Sequence, residues 1–232
     1  MGLKTRKQTA AESDNNIFWT TMSDLLLGLA IIFMTLFVLA MTGFTQQNVE
    51  QKKQQMEMGK ELIQKLQEAK INAQVDKMTG DIKISDLDLF EVGSYTLSPK
   101  GKLFLDKFAP IYINTIFAKK DFVSNIESIA VQGHTDSQSF AGIKNPDEQY
   151  LRNMTLSLER ANSVANYIFR TNYNKQYGEQ LKKILVVEGK SYSEPILTDG
   201  KEDYAKSRRV ELRIKAKSLD ILDNLFQKGE ND

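Results

Sequence analysis

The hydrophobic positions of this chain form one long unbroken run near the N-terminus and several short runs further on. The long run, residues 25–44, has no ionisable side chain. It matches the ~20 apolar residues that a helix needs to cross a bilayer. It predicts a membrane-spanning helix over residues 17–45, after a leader of residues 1–16. The run is longer than the ~7–15 residues of a signal-peptide core and no clean cleavage site follows, so we expect a retained anchor.

One carboxylate, Asp24, lies at the edge of this run. An acid in a membrane helix is costly in lipid, so we expect it to face water or protein, as ion-pathway residues do. Steps of three and four place it on a helical stripe of mostly small or hydroxyl residues, which suits close helix packing: Thr21, Asp24, Gly28, Ile31, Thr35, Val38 and Thr42. The alternative is a helix N-cap, a position that aspartate favours. Apolar residues begin at Ile17, about two turns earlier, which favours the protein-facing acid.

Beyond residue 45 the pattern changes to that of an amphipathic helix, followed by strands that alternate with helices. Residues 46–80 are rich in Gln, Lys and Glu, with apolar residues at roughly helical spacing. They predict a helical linker, either paired with a second copy or standing as a solvated spacer. Residues 81–217 predict one α/β domain with strands at 82–90, 126–132, 184–188 and 209–214 and helices at 99–117 and 153–171. A short helix and tail are expected over 218–232.

Composition excludes several kinds of site. The net charge of +1 gives no general attraction to nucleic acid. The chain has no cysteine and one histidine, which excludes disulfides, thiolate metal sites and multi-histidine metal sites. Basic residues occur both before and after the spanning segment, so charge alone does not set its orientation.

Four ordered motifs in the second part of the chain form a recognisable set. They are Phe90-x-x-Gly93-Ser94, Gly133-His134-Thr135-Asp136, Asn153-x-x-Leu156-Ser157-x-x-Arg160-Ala161, and Gly189-x-Ser191 with Arg208-Arg209-Val210-Glu211. Together they resemble the OmpA-like peptidoglycan-binding domains. The resemblance implies an α/β (α+β sandwich) fold, in which helices cover a mixed sheet.

The resemblance also implies a binding site for the peptidoglycan stem peptide. Its diaminopimelate presents an ammonium beside a carboxylate. Asp136 would hold the ammonium, and Arg160 would hold the carboxylate in a two-pronged charge-assisted bond. Backbone N–H groups at a helix start would add an anion-binding corner, a loop-fixing residue would lead into that helix, and an arginine of the last strand would support the site. These supporting positions are Leu156, Ser157, Asn153, Arg208 and Arg209.

The whole arrangement is similar to the B subunits of ion-driven stator motors, represented by MotB. The segment Trp19-x-x-x-x-Asp24-Leu-Leu-x-Gly28-Leu and the long loop between Asp136 and Asn153 resemble the ZorB subfamily of the Zorya anti-phage systems. This implies a homodimer inside a pentamer of multi-span MotA/ZorA-like subunits, with Asp24 carrying protons. It also implies an inner-membrane protein with a cytoplasmic N-terminus and a periplasmic domain. The alternatives are a flagellar MotB-type subunit and a passive OmpA-like tether without ion transport.

We expect no enzymatic activity, metal or cofactor. His134, Asp136 and Ser157 have the residue types of a hydrolytic triad, but no nucleophile elbow or oxyanion motif accompanies them. His134 is interpreted as a loop-shaping residue. The acidic residues Asp199, Glu202 and Asp203 lack calcium-loop spacing and indicate a solvated turn.

Overall fold

A computed structural model describes residues 5–91 and 93–217 of the chain. The helix and tail predicted over 218–232 lie outside these residues. The chain divides after Val49 into an N-terminal unit and a second unit that begins at Glu50.

A single helix, α1 (Thr5–Glu68), contains the apolar run. Among the described residues, one helix is long enough and apolar enough to cross a membrane, and that helix is α1. Side chains from residue 18 to residue 43 are exposed around the whole circumference of the helix. Hydroxyl groups in this stretch donate to carbonyls one turn back, as Ser23 does to Trp19 O at 2.8 Å and Thr35 to Ile32 O at 2.8 Å. Such bonds satisfy polar side chains without water, as a lipid environment requires.

The last turns of α1 form part of the core of the second unit. Met58, Leu62 and Leu66 are at most 2% exposed. Glu61 holds this segment to the domain surface through Lys119, at 2.6 Å. The linker predicted over 46–80 is therefore wrong in two respects: its helix ends at Glu68, and part of it is core. The apolar side chains at steps of four make one stripe that the domain covers.

The second unit is built on a five-stranded mixed sheet of order β1-β2-β7-β3-β4. Its strands are β1 (Gln74–Val75), β2 (Ile82–Ser85), β3 (Ile126–His134), β4 (Leu185–Gly189) and β7 (Arg209–Ala216). β3 and β4 are parallel, and the other neighbours are antiparallel. A separate hairpin pairs β5 (Leu197–Thr198) with β6 (Lys201–Glu202). The predicted mixed α/β architecture is confirmed.

Two long helices pack on the sheet, joined by shorter ones. They are α3 (Pro99–Phe117) and α5 (Pro146–Ile168). The shorter helices are α2 (Asp86–Leu89), α4 (Lys120–Ser124), α6 (Gly178–Ile184), α7 (Tyr204–Ser207) and a 3₁₀ turn (Lys175–Tyr177). The core between helices and sheet includes Phe108, Tyr112 and Ile129, each at most 2% exposed.

Two element boundaries differ from the predictions, and a side-chain cap accounts for the second. The strand predicted over 82–90 ends at Ser85, and α2 follows it. The helix predicted to start at Asn153 begins at Pro146, since the Asn145 side chain accepts from Asp147 N at 2.9 Å and proline is favoured at the first helical position. α3 starts at Pro99 as predicted, with Ser98 as its cap.

Candidate functional site

An open cleft of about 470 Å³ lies where β3 ends, β7 begins and helices α2 and α5 meet. Four of its lining residues are charged: Asp86, Asp136, Arg160 and Arg208. The other lining residues are uncharged. The two carboxylates balance the two guanidiniums, so the charged groups of the cleft sum to zero.

Asp136 and Arg208 form the ion pair nearest the cleft mouth. Strand register sets this contact, because His134 pairs with Arg209 across β3 and β7. The Arg208 Nη1 group donates to Asp136 Oδ2. The backbone N–H of Gln138 donates to the other oxygen, Oδ1, at 3.2 Å. Both oxygens of Asp136 therefore have a donor within the chain.

Arg160 lies deeper and is held by α2 and the segment after it. Its Nη2 is 3.2 Å from Asp86 Oδ2, and its Nε donates to Ser94 O at 2.9 Å. The Phe90 ring lies against the guanidinium, with 5.5 Å from ring centroid to Cζ. Arg160 is 2% exposed, so these contacts fix it in place.

Asp86 is the buried partner that neutralises Arg160. Burial raises the pKa of its carboxyl, and the neighbouring guanidinium of Arg160 opposes that rise. Its Oδ1 is buried and has no hydrogen-bond partner among the described residues. A buried ion pair is strongly destabilised when one partner is removed, so Asp86 and Arg160 depend on each other.

A loop over residues 135–145 forms the rim of the cleft, and side chains hold it from two sides. The Gln149 side chain of α5 accepts from Phe140 N at 3.0 Å and donates to Gln138 O at 2.9 Å. The Ser137 hydroxyl donates to Glu202 Oε2 at 2.5 Å, which ties the loop to the β5–β6 hairpin. The long loop noted in the sequence is thus tied to α5 and to the hairpin by side-chain hydrogen bonds.

The second candidate site, Asp24, lies well inside α1. The helix begins at Thr5, about five turns earlier, so the N-cap interpretation of Asp24 is wrong. The side chain is exposed in the free chain. An acid beside the uncharged run of residues 25–44 requires a partner or water to accept it in a membrane.

Known proteins are similar to the second unit of this chain and to nearly its full length. The OmpA family matches residues 89–209, which contain every lining residue of the cleft except Asp86. The Zorya protein ZorB of Escherichia coli strain Crooks is 31% identical over 221 residues, covering 90% of this chain and 92% of that protein. This chain belongs to the ZorB family. A second ZorB, from Escherichia coli O139:H28, is 24% identical and covers 92% of the chain and 85% of its own length. A crystal structure of a MotB-like protein from Desulfovibrio vulgaris shares the fold, with a TM-score of 0.50, 20% identity and coverage of 73% of this chain and 95% of that one.

The prediction of an anion-binding helix start near Leu156 and Ser157 is wrong for this ZorB-family chain. Both residues lie inside α5, more than two turns after its start at Pro146, where backbone N–H groups are used within the helix. Leu156 lines the cleft with its side chain instead. The Ser157 hydroxyl donates to Met154 O at 2.8 Å and accepts from Ser191 N at 3.0 Å, so it fastens α5 to the chain after β4.

Asn153 lines the cleft but does not fix the loop before α5. It lies inside the helix and its side chain donates to Gln149 O at 3.2 Å. Asn145 caps the helix instead.

The two arginines of the ZorB-family Arg208-Arg209 motif have separate surroundings. Arg208 reaches Asp136 in the cleft. Arg209 pairs with Glu211 and donates to Glu194 O at 3.3 Å, outside the cleft lining. Of the two supporting arginines predicted, only Arg208 belongs to the site.

His134 ends β3 rather than shaping a loop. It is 1% exposed, and burial lowers its pKa to about 3, so the ring stays neutral.

Sequence reasoning missed Asp86 and Gln149. Nothing in the sequence singles out Asp86, because Asp88 alternates with apolar residues in the same way two positions later. No sequence pattern marks Gln149, because its hydrogen bonds depend on the path of the loop over residues 135–145.

Proposed function

We propose that this chain is the membrane-anchored stator B subunit of a proton-driven rotary motor that serves anti-phage defence. Its cleft binds the peptidoglycan stem peptide, and Asp24 carries protons. The observation that carries the proposal is that the carboxylate of Asp136 and the guanidinium of Arg160 line the same cleft, on a chain whose predicted membrane span, residues 17–45, contains a single acid.

The cleft suits a zwitterionic end group. Asp136 offers a carboxylate to an ammonium, and the two arginines offer N–H donors to a carboxylate. The free end of diaminopimelate carries both groups on one carbon. Leu156 and Phe140 also line the cleft and offer apolar surface to the aliphatic part of diaminopimelate.

The motor part of the proposal rests on Asp24 and on the family relationship. A proton that crosses the membrane releases ~2.3 kcal/mol per 100 mV. Protonation removes the carboxylate's need for a polar partner, so a surrounding ring of ZorA-like subunits can step past it. Two copies of this chain alternate inside a pentameric ring, with the N-terminus cytoplasmic and the domain periplasmic, and wall attachment holds the dimer still while the ring turns.

Co-sedimentation of the full chain with purified sacculi tests the wall-binding part. Asp136→Asn and Arg160→Gln should each lower the bound fraction by about 30-fold or more, because each leaves a charge of the ligand without its partner. Arg152→Gln is the matched control, since Arg152 lies on the same helix but is exposed and outside the cleft lining.

Folding of each variant is checked by circular dichroism. A contradicting result is that the two cleft variants, Asp136→Asn and Arg160→Gln, are both folded and still sediment with sacculi as well as the Arg152→Gln control. That result would show that the cleft does not bind peptidoglycan.

A further inference from the structure

One segment of the chain contacts two consecutive residues at the cleft rim. This segment, which we call the hairpin module, covers residues 196–208 and contains the β5–β6 hairpin and α7. Arg208, at its end, donates to the Asp136 carboxylate. Glu202, in β6, contacts Ser137, the residue that follows Asp136. The hairpin module therefore acts on the cleft acid directly and also through the next residue of the loop.

The contact between Glu202 and Ser137 involves two hydrogen bonds. The Ser137 backbone N–H donates to Glu202 Oε1 at 3.3 Å, and the Ser137 hydroxyl donates to Oε2. That N–H belongs to the same planar peptide unit as the carbonyl of Asp136, so the carboxylate holds this peptide as well as the serine side chain. The sequence indicated a solvated turn at Glu202, whereas the structure gives both of its carboxylate oxygens a donor.

Hydrogen bonds inside the hairpin module hold β6 in place. The turn between β5 and β6 has positive φ at two consecutive residues, Asp199 at 52° and Gly200 at 77°, which is typical of the tight type I′ turns that join hairpin strands. The Asp203 N–H donates to Ile196 O at 2.8 Å, and the Ile196 N–H donates to the Ser207 hydroxyl at 3.0 Å. The hairpin is therefore a firm support for the carboxylate that it carries.

The position of Asp136 depends on its two neighbours in the loop. It lies two residues beyond the end of β3 at His134, so the strand ladder does not fix it. On one side, the Thr135 N–H donates to Ser191 O at 2.8 Å. On the other side, Ser137 is held by Glu202. Charge-assisted hydrogen bonds are directional, so release of Ser137 would move the Asp136 carboxylate away from the geometry that a ligand's donor needs.

We propose that Glu202 is a positioning residue of the cleft, which holds Ser137 so that the Asp136 carboxylate stays directed toward the ligand. This inference rests on the proposed function. Glu202 is not among the residues that line the cleft, so it acts through the loop and does not touch the ligand. Its role is geometric rather than electrostatic, because an amide makes the same two contacts: its oxygen accepts from the Ser137 N–H and its nitrogen donates to the hydroxyl.

Sedimentation of the full-length chain in lipid nanodiscs with increasing amounts of purified sacculi tests this inference. Glu202→Ala should weaken binding about tenfold, because it removes two hydrogen bonds to a charged group and releases the residue beside Asp136. Glu202→Gln should stay within about threefold of wild type, since the amide keeps both contacts. Glu179→Ala is the matched control: it removes an exposed carboxylate of α6, paired with Lys182 at 2.6 Å, and should bind as wild type does.

Two further variants separate positioning from a general structural effect. Ser137→Ala removes only the hydroxyl donor and leaves the hairpin module unchanged, so it should weaken binding by about threefold. In an Asp136→Asn chain, Glu202→Ala should add no more than about a twofold loss, because the residue that it positions has already lost its charge. Circular dichroism checks that each variant is folded.

The outcomes distinguish this inference from the proposed function. If Glu202→Ala and Ser137→Ala bind sacculi as tightly as wild type while Asp136→Asn loses binding, the inference fails and the peptidoglycan site stands. The positioning role is also wrong if Glu202→Gln binds as weakly as Glu202→Ala, or if the Glu202→Ala loss is unchanged in the Asp136→Asn chain. If the wild-type chain does not sediment with sacculi, the proposed function fails and takes the inference with it.

Discussion

An Asp24→Asn chain is expected to insert into the membrane and assemble with its partners, but to give no protection against phage. Asparagine keeps the size and hydrogen-bonding capacity of aspartate but cannot gain or lose a proton at physiological pH. The side chain lies inside α1 rather than at a helix end, so the substitution removes no cap. Plaque counts on cells that carry the complete defence system measure the loss.

Ser23→Ala is the matched control for this prediction. Ser23 is the preceding residue, and its hydroxyl donates to Trp19 O within the helix. It should leave protection unchanged. Full protection by Asp24→Asn would indicate a passive wall tether, for which the cleft variants Asp136→Asn and Arg160→Gln would remain damaging.

Gly133→Ala is expected to destabilise the second unit by about 3 kcal/mol or more, because the added methyl has no room. A Cβ at this position would lie 1.9 Å from the Ser157 carbonyl oxygen. The clash is with backbone, so α5 must move away from β3 and take Arg160 with it. At roughly 2–4 °C per kcal/mol for a unit of this size, the thermal midpoint should fall by about 10 °C.

Gly178→Ala provides the comparison for that melting experiment. A Cβ there meets Tyr173 Oη at 3.6 Å, an ordinary contact, and the backbone is helical. Its midpoint should stay within about 2 °C of wild type, since a helical alanine is at least as stable as glycine. Equal midpoints for both variants would show that the tight packing of α5 on β3 does not hold the cleft together.

The motif residues could be predicted from sequence where the fold brings a motif directly into the cleft. Asp136 and Arg160 are such cases, since the end of a buried strand and the inner face of an amphipathic helix face the same space. Asp86 could not be predicted, because its contact with Arg160 depends on α2 replacing the end of the expected strand.

The errors at Leu156, Ser157 and Asn153 share one cause. The polar loop hid the true helix start, although Asn145-Pro146 is a strong cap signal. The helix was predicted to start at Asn153 instead of Pro146. Residues inside the helix were therefore interpreted as an anion-binding helix start.

The buried face of the linker helix was not predicted correctly, because the apolar stripe that marks it is weak. The roughly helical spacing noted for residues 46–80 is that of Val49, Met56, Ile63 and Leu66, whereas the domain buries Met58, Leu62 and Leu66. Polar residues surround both sets, so only the position of the sheet beneath the helix decides between them. The same limit applies wherever a partner surface, rather than the helix itself, selects the buried face.

Proton flux through vesicles that contain this chain and its multi-span partner tests the central claim most directly. An imposed potential should drive proton uptake in wild type and in Arg160→Gln. The Arg160→Gln chain should conduct because the vesicles contain no cell wall, so wall binding by the cleft is not needed. Asp24→Asn should show no proton uptake above background. Uptake by Asp24→Asn at the wild-type rate would contradict the account, since the proton would then cross without its carboxylate.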